Sequence, residues 1–295
     1  MNIIGMLVIC LMLLASPAFA GHYGGVEEWY LYPSVQYFTW EEFLNGNRLL
    51  KEEGALFGIG GGVRLDLYRK ALLLNVKGEL FGGNVGYRGQ TQSLPPIIPP
   101  STPGNPNPTP IPNPQSARPL KTDVTYFGTK LESDLGWRMA TPAGSVEPFA
   151  GIGYRWWLRA LENSTAFTNQ TPPQAFSVGG YTEWWHSVYT RLGLRWDFAV
   201  RSDLSLFAEG GGKYPFLNRN IADFPGAGTV TIKPEPRWSV FAELGARYGR
   251  FRPVLFYEGY RFGQSPAVPI GANLVLYQPK SESDIFGLNL GWAFK

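Results

Sequence analysis

The sequence is poor in cysteine and in charge. Cys10 is the only cysteine among 295 residues, which leaves no disulfide and no thiolate metal site. Charged residues make up 17% of the chain, below the roughly 25% that is usual in soluble domains. The net charge of +3 is too small to favour nucleic acid as a partner. Disulfide scaffolds, thiolate metal centres and nucleic-acid binding are therefore not expected.

Long apolar runs are missing after residue 20, so the sequence predicts no spanning helix. The first twenty residues contain no Lys, Arg, Asp or Glu, and their apolar run (3–14) is followed by the small-residue site A-F-A that ends at Ala20. This pattern is typical of a secretory signal peptide, and the run is too short for a membrane anchor. The sequence predicts a signal peptide over 1–20 and one mature domain over 21–295.

Aromatic residues, glycine and proline are abundant, which suits strands and turns better than long helices. Apolar residues alternate with small or polar ones in ten segments, and such a period of two predicts β-strands. Most segments exceed the 5–6 residues of an average strand and suit a tilted strand that crosses a bilayer. The segments are 29–40, 54–68, 71–85, 122–139, 146–160, 183–200, 203–214, 237–249, 251–262 and 284–294.

The two faces of these segments differ in a way that favours a membrane barrel over a soluble sandwich. In segment 183–200 one face carries Trp184, Leu192 and Trp196, while the other carries Arg191 and further charges. The polar face is rich in glycine and in charges of both signs, whereas a soluble sandwich would place Lys and Glu there. The apolar face carries aromatic residues near its ends, as the girdles of membrane barrels do. The predicted girdle residues are Trp137, Trp156, Trp184, Trp196, Trp238 and Trp292.

Predicted connections alternate in length. Short ones lie near 69–70, 140–145, 201–202 and 249–250, and long ones over 41–53, 86–121, 161–182, 215–236 and 263–283. Short periplasmic turns and long external loops are the signature of an outer-membrane barrel. The predicted fold is an all-β, antiparallel up-and-down transmembrane barrel of about ten strands, with eight or twelve as alternatives.

The sequence ends on the strand DIFGLNLGWAFK, whose alternate residues are apolar. Leu288, Leu290, Trp292 and Phe294 form a pattern that resembles the C-terminal assembly signal of Gram-negative outer-membrane β-barrel proteins. The resemblance implies secretion, insertion by the outer-membrane assembly machinery, and contact with outer-membrane lipid and lipopolysaccharide. It also implies that the last strand pairs with the first, which leaves no open edge.

Charges of both signs lie on the predicted inner face in similar numbers. Ten strands enclose little more than side chains, so these charges are expected to pair and to plug the interior. A narrow channel with charged constrictions is the competing interpretation. The predicted lumen residues are Arg64, Asp66, Lys77, Glu79, Lys130, Glu132, Asp134, Arg138, Glu147, Arg155, Arg191, Arg195, Asp197, Glu209, Lys213, Glu243, Arg247 and Glu258.

A proline-rich segment over 94–119 lies in the second predicted external loop. Proline fixes φ and removes a hydrogen-bond donor, so this segment is expected to be extended and not a strand. It is either a stiff arm that presents a binding surface or a disordered spacer.

The histidines of the mature chain are the candidates for a catalytic role in an outer-membrane enzyme. Length and strand number resemble the omptins, outer-membrane proteases with acidic pairs and an Asp–His pair at the barrel mouth. His186 is the candidate general base, with Glu183 or Asp223 to orient it, but its phase places it on the lipid face. In the outer-membrane lipid A deacylases the catalytic His and Ser are two residues apart, whereas His186 and Ser187 are adjacent and point to opposite faces. No catalytic residue, metal site or cofactor is predicted.

Together these patterns predict a bacterial outer-membrane barrel with a structural, adhesive or envelope-complex role. An envelope protein or a surface polysaccharide would bind its external loops. A narrow porin-like channel for small solutes is the first alternative, and a hydrolase at the barrel mouth that uses His186 is the second.

Overall fold

The computed structural model describes residues 24–91, 117–168, 171–224, 228–270 and 274–294. The predicted signal peptide and most of the proline-rich segment lie outside these ranges. Ten long antiparallel strands account for all ten predicted segments. They are β1 Val26–Leu44, β2 Asn47–Tyr68, β3 Leu72–Gln90, β4 Pro119–Trp137, β5 Gly144–Leu161, β6 Thr182–Arg201, β7 Leu204–Phe224, β8 Ser239–Tyr248, β9 Phe251–Gly263 and β10 Lys280–Phe294.

The first and last strands pair and close the sheet into a barrel. β10 pairs with β1 in a register that sets Trp29 opposite Phe294, and the two rings stack with centroids 4.0 Å apart. β10 also pairs with β9 on its other side. The C-terminal alternation therefore serves ring closure, which leaves no unpaired edge within a lipid environment. The predicted ten-stranded up-and-down barrel is confirmed.

Tight turns occur at both ends of the barrel, and one of them corrects the sequence prediction. Arg69 and Lys70 have φ of 48° and 59° in the β2–β3 turn, at the end of the barrel where β1 begins and β10 ends. At the opposite end, Asn45 and Gly46, with φ of 50° and 82°, join β1 to β2. The predicted long loop over 41–53 is wrong, because both strands continue to this two-residue turn, which positive φ at both positions suits.

Three further connections at the external end, those between β5 and β6, β7 and β8, and β9 and β10, are longer and carry short strands of their own. Ser164–Phe167 pairs with Ala175–Val178, and Val268–Ile270 pairs with Leu274–Leu276. Gly228–Ile232 folds back on the end of β7, and Glu235–Pro236 pairs with β9. At the opposite end, Met139–Thr141 pairs with the start of β5. The external end is therefore the more elaborate end of the barrel.

Burial is inverted relative to a soluble protein. Outward side chains such as Phe57 and Ile59 are about 60% exposed, whereas the inward Glu52 and Lys213 are fully buried. Strand geometry sends alternate side chains to opposite faces, so a period-2 sequence yields an apolar outside and a polar lumen. The part of the chain that the structure describes contains no helix long and apolar enough to cross a membrane.

Candidate functional site

The middle of the lumen is filled by an arginine–carboxylate network. Arg191 and Arg195 lie four residues apart on β6, so both point inward. Arg191 Nη1 lies 2.7 Å from Glu132 Oε2, and Arg195 Nη2 lies 2.7 Å from Asp134 Oδ2. Both arginines also bind Glu209 on β7, and Arg195 Nη1 reaches Glu147 on β5 at 2.7 Å. This network ties four neighbouring strands, β4 to β7, together on the inner face of the barrel.

A second layer, nearer the external end, is centred on Glu258 of β9. Its carboxylate accepts hydrogen bonds from Lys130 Nζ at 2.9 Å and from Lys213 Nζ at 2.7 Å. Arg155 Nη1 lies 3.6 Å away. Lys213 Nζ also lies 3.3 Å from the centroid of the Tyr260 ring. Three cations around one buried carboxylate compensate its desolvation.

The end of the barrel where β1 begins and β10 ends opens into a vestibule of about 700 Å³, whose walls carry charges of both signs. Arg138 binds Glu27 at 2.6 Å, and Glu27 lies 3.3 Å from Arg64. Arg64 and Arg247 both bind Asp197. The vestibule ends at the arginine–carboxylate network, because Arg64 also pairs with the buried Glu147 of that network.

The structure places the predicted lumen residues on the inner face, and most of them are within 4 Å of an opposite charge. Lys77 pairs with Glu243. Asp66 instead accepts the backbone N–H of Lys70 at 2.8 Å, and Glu79 accepts the Tyr32 hydroxyl at 3.0 Å. Pairing across the lumen depends on which strands face each other, so it was not predictable residue by residue.

Four buried rings, here called the aromatic plug, lie together toward the external end of the lumen. Trp157 and Trp185 stack with centroids 5.3 Å apart and planes 9° apart. Trp40 packs edge-on against Trp185 at 5.1 Å, and Phe262 lies 5.5 Å from Trp185. These rings come from four strands, β1, β5, β6 and β9, and contact one another inside the lumen.

A polar cluster that the sequence did not reveal holds the plug in place. Arg159 donates to Glu52 and lies 3.0 Å from Glu183 Oε1, and all three side chains are buried. The Trp185 indole N–H donates to Glu183 at 2.7 Å, and Trp40 donates to Glu42 at 3.0 Å. The sequence signal for this cluster was the alternation of inward and outward residues, which continues in β1 beyond residue 41 and in the first part of β2. The prediction of a loop over 41–53 overlooked it.

His186 lies on the outer face, as its phase predicted, and it does not form the arrangement that the hydrolase alternative would require. Its Nδ1 lies 2.8 Å from the Tyr154 hydroxyl on the outer face, and the strand register sets His186 opposite Trp156. Glu183 points into the lumen toward Arg159, and Ser187 points inward to Asn218 Oδ1 at 2.8 Å. Neither Glu183 nor Asp223 is bonded to His186 in the described ranges. Among those residues, no group of three His, Cys, Asp or Glu side chains could hold a metal ion.

The six girdle tryptophans lie on the outer face in two groups. Trp137, Trp196 and Trp292 lie near the end of the barrel where β1 begins. Their pairing partners stand at or near the first residue of β3, β5 and β9. Trp156, Trp184 and Trp238 lie toward the external end. Leu288, Leu290 and Trp292 of the C-terminal strand are also exposed outward. Their roles in membrane anchoring and assembly remain predictions.

A second cavity, of about 580 Å³, lies on the external rim between the ends of β5, β6 and β7. Tyr181 lines it and stacks on Phe224 with centroids 4.8 Å apart. Burial, followed by the nearby Glu183 carboxylate, raises the pKa of the Tyr181 phenol well above its usual value. Glu162 and Asp223 also line the cavity and are exposed. The rim therefore offers a concave polar surface at the external end of the barrel.

Comparisons with known proteins recognise the architecture without a sequence relative. No family model and no curated protein matches the chain. The outer membrane protease OmpT from Escherichia coli superimposes with a TM-score of 0.55 at 12% identity, covering 94% of this chain and 100% of that one. The translocator domain of the autotransporter NalP from Neisseria meningitidis gives 0.44 at 13% identity, covering 97% and 95%.

At 12% identity, the likeness to the protease indicates a shared fold and says nothing of activity. The closed barrel, its apolar outer surface and this likeness agree with the localisation expected from the sequence. The chain has the fold of a Gram-negative outer-membrane β-barrel.

Proposed function

We propose that this protein is a non-conducting outer-membrane barrel that acts through its external rim and loops, in a structural, adhesive or envelope-complex role. The observation that carries the proposal is the filling of the lumen at two heights. The arginine–carboxylate network occupies its middle, and the aromatic plug closes its external end. A solute would have to displace both layers to pass.

The arginine–carboxylate network and the aromatic plug are held together by different interactions. Carboxylates such as Glu147, which is 1% exposed, can stay charged there only because cations bind them. The plug is held by ring packing, and its indole N–H groups are bonded to Glu42 and Glu183. Each layer adds its own resistance to the passage of a solute, so weakening either one is expected to raise leakage through the barrel.

A sealed lumen leaves the external rim as the surface for partners. The rim cavity beside Tyr181 and the proline-rich segment 94–119 would present binding groups to an envelope protein or to a surface polysaccharide. Outer-membrane lipid and lipopolysaccharide would contact the apolar outer wall, and the assembly machinery would recognise the C-terminal strand.

Single-channel recording of the folded barrel in a planar bilayer tests the proposal. We expect silence from the wild type. Replacing Trp157 and Trp185 with alanine removes two rings of the plug and should widen the external end, which raises conductance or solute leakage. The matched control replaces the neighbouring outward pair, Trp156 and Trp184, and should stay silent. Regular conductance steps from the wild type would overturn the proposal in favour of the narrow channel.

A further inference from the structure

Arg219 is an exposed cation on the outer wall of the barrel, toward its external end. It stands on β7 directly opposite His186 of β6, and His186 in turn stands opposite the girdle residue Trp156 of β5. Among the described residues, no Asp or Glu lies within 4.0 Å of the Arg219 guanidinium, and no hydrogen bond occupies it. A cation therefore faces outward at the height of the external girdle without a partner in that part of the chain.

A β-bulge turns Arg219 outward. The register between β6 and β7 shifts between Tyr214 and Leu217, where β7 carries one extra residue. Before the bulge the odd-numbered Lys213 is buried in the lumen, and after it the even-numbered Asn218 is buried there instead. An unbroken strand would send Arg219 inward with Lys213, so the bulge re-aims this side chain toward the outside of the barrel.

His186 and Tyr154 lie beside Arg219 and keep one hydrogen-bond donor free. The Tyr154 hydroxyl is 2.8 Å from His186 Nδ1. If the hydroxyl donates, the neutral ring carries its proton on Nε2, and if Nδ1–H donates, the hydroxyl proton is free. Neither side chain makes another hydrogen bond among the described residues. Both arrangements therefore leave one donor on the outer wall beside the guanidinium.

The charges next to this group of side chains are positive. Arg219 is the one charged group among the described residues that acts appreciably on His186. Lys233 is exposed and follows the short strand that pairs with the end of β7. Asp223 lies four residues further along β7, roughly 13 Å away at about 3.3 Å per residue. Glu235 belongs to the segment that pairs with β9. The site itself therefore has an excess of positive charge.

We propose that Arg219, together with the His186–Tyr154 pair, binds the phosphate group of an outer-leaflet lipid. The inference rests on the contact with outer-membrane lipid proposed above. A guanidinium can donate two parallel hydrogen bonds to phosphate oxygens. Trp156 in the same row is typical of the level at which lipid headgroups lie. Leu217, which is 42% exposed two residues toward the middle of the barrel, offers apolar surface to the acyl chains of the same lipid.

Thermal unfolding of the folded, signal-free barrel in a neutral detergent tests the site, with bisphosphorylated lipid A as the probe. Lipid A should raise the unfolding temperature with a saturable dependence on its concentration, because a ligand that binds only the folded state stabilises it. The same lipid without its phosphates should reach half of the maximal shift only at a higher concentration. Inorganic phosphate should give no saturable shift, because it lacks acyl chains.

Arg219→Gln should raise the lipid A concentration at the half-maximal shift about tenfold, because charge-assisted hydrogen bonds to the phosphate are lost. Arg48→Gln is the control, since it removes an exposed cation that already pairs with Glu41 at 2.8 Å, and it should behave like the wild type. The gel shift checks folding, and His186→Phe, with a smaller rise expected, serves as the second variant if Arg219→Gln does not fold.

A wild type that does not distinguish lipid A from its phosphate-free form would overturn the proposal. An equal change in the Arg219 and Arg48 variants would overturn it as well. A saturable shift with inorganic phosphate alone would refute a lipid as the source of the phosphate. These outcomes do not involve conductance, so a failure of the lipid site is distinguishable from a failure of the proposed non-conducting role.

Discussion

At the scale of single residues, stability depends on buried charges that have few alternative partners. Arg159 is 1% exposed and is the cation shared by Glu52 and Glu183 below the external rim. Removing one member of a buried ion pair costs more than the pair contributes, because the remaining charge stays desolvated. The same reasoning does not apply to Arg48, which is exposed and pairs with Glu41 at the surface.

Replacing Arg159 with methionine should therefore destabilise the barrel strongly. Two buried carboxylates would lose their shared cation, for an expected loss of about 3–5 kcal/mol in the free energy of unfolding. The measurement is denaturant unfolding in detergent, read from the gel shift between folded and unfolded forms. Arg48→Met is the control and should change little. Equal stability of the two variants would contradict the assigned role of Arg159.

At the scale of elements, the β1–β2 hairpin extends the barrel wall beyond the predicted strands. Its turn depends on Gly46, whose φ is 82° and whose missing side chain would meet no atom within 4 Å. The constraint is therefore one of backbone conformation and not of space. The hairpin carries Trp40 and Glu52 into the plug and its polar support.

Gly46→Val should weaken this hairpin through strain at positive φ. A side chain in the left-handed region costs about 1–2 kcal/mol, and a β-branched one suits it poorly. Gly179→Val is the matched control, because its space is equally open and its backbone is outside that region. Urea unfolding should show a loss of free energy in the first variant relative to the second. Equal losses would show that the turn tolerates side chains.

At the scale of the whole molecule, the barrel should fold without its proline-rich segment. Gln90 and Pro119 face each other in the β3–β4 register, and Thr91 N–H donates to the Arg118 carbonyl at 2.8 Å. Arg118 N–H returns a bond to Thr91 Oγ1 at 2.9 Å. The two chain ends at the base of this loop are thus already held together.

Replacing residues 94–116 with a short Gly-Ser linker should leave the unfolding temperature and the gel shift unchanged. If the segment is a binding arm, attachment to the partner or polysaccharide would fall while folding is unaffected. If it is a spacer, both properties would persist. Failure of the shortened chain to fold would contradict the independence of the barrel.

The sequence by itself determined the strand number, the inward and outward faces and the polar character of the lumen. Alternation along a strand is local, so residues such as Phe57 and Arg191 reveal their faces without knowledge of their neighbours. It offered Glu183 or Asp223 as the acid that would orient His186 in a hydrolase, whereas Glu183 binds Arg159 and Trp185 inside the lumen. The prediction of a long loop over 41–53 was wrong because the charged residues cluster at 41–42 and 51–53 and resemble a polar connection.

Only the tertiary structure decided what the lumen residues do. Trp40, Trp157 and Trp185 come from three strands, and closure of the barrel alone brings them into one plug. Closure likewise gives Arg159 two carboxylates. Pairing across a lumen is set by shear and by the strands that face each other, which no local pattern encodes.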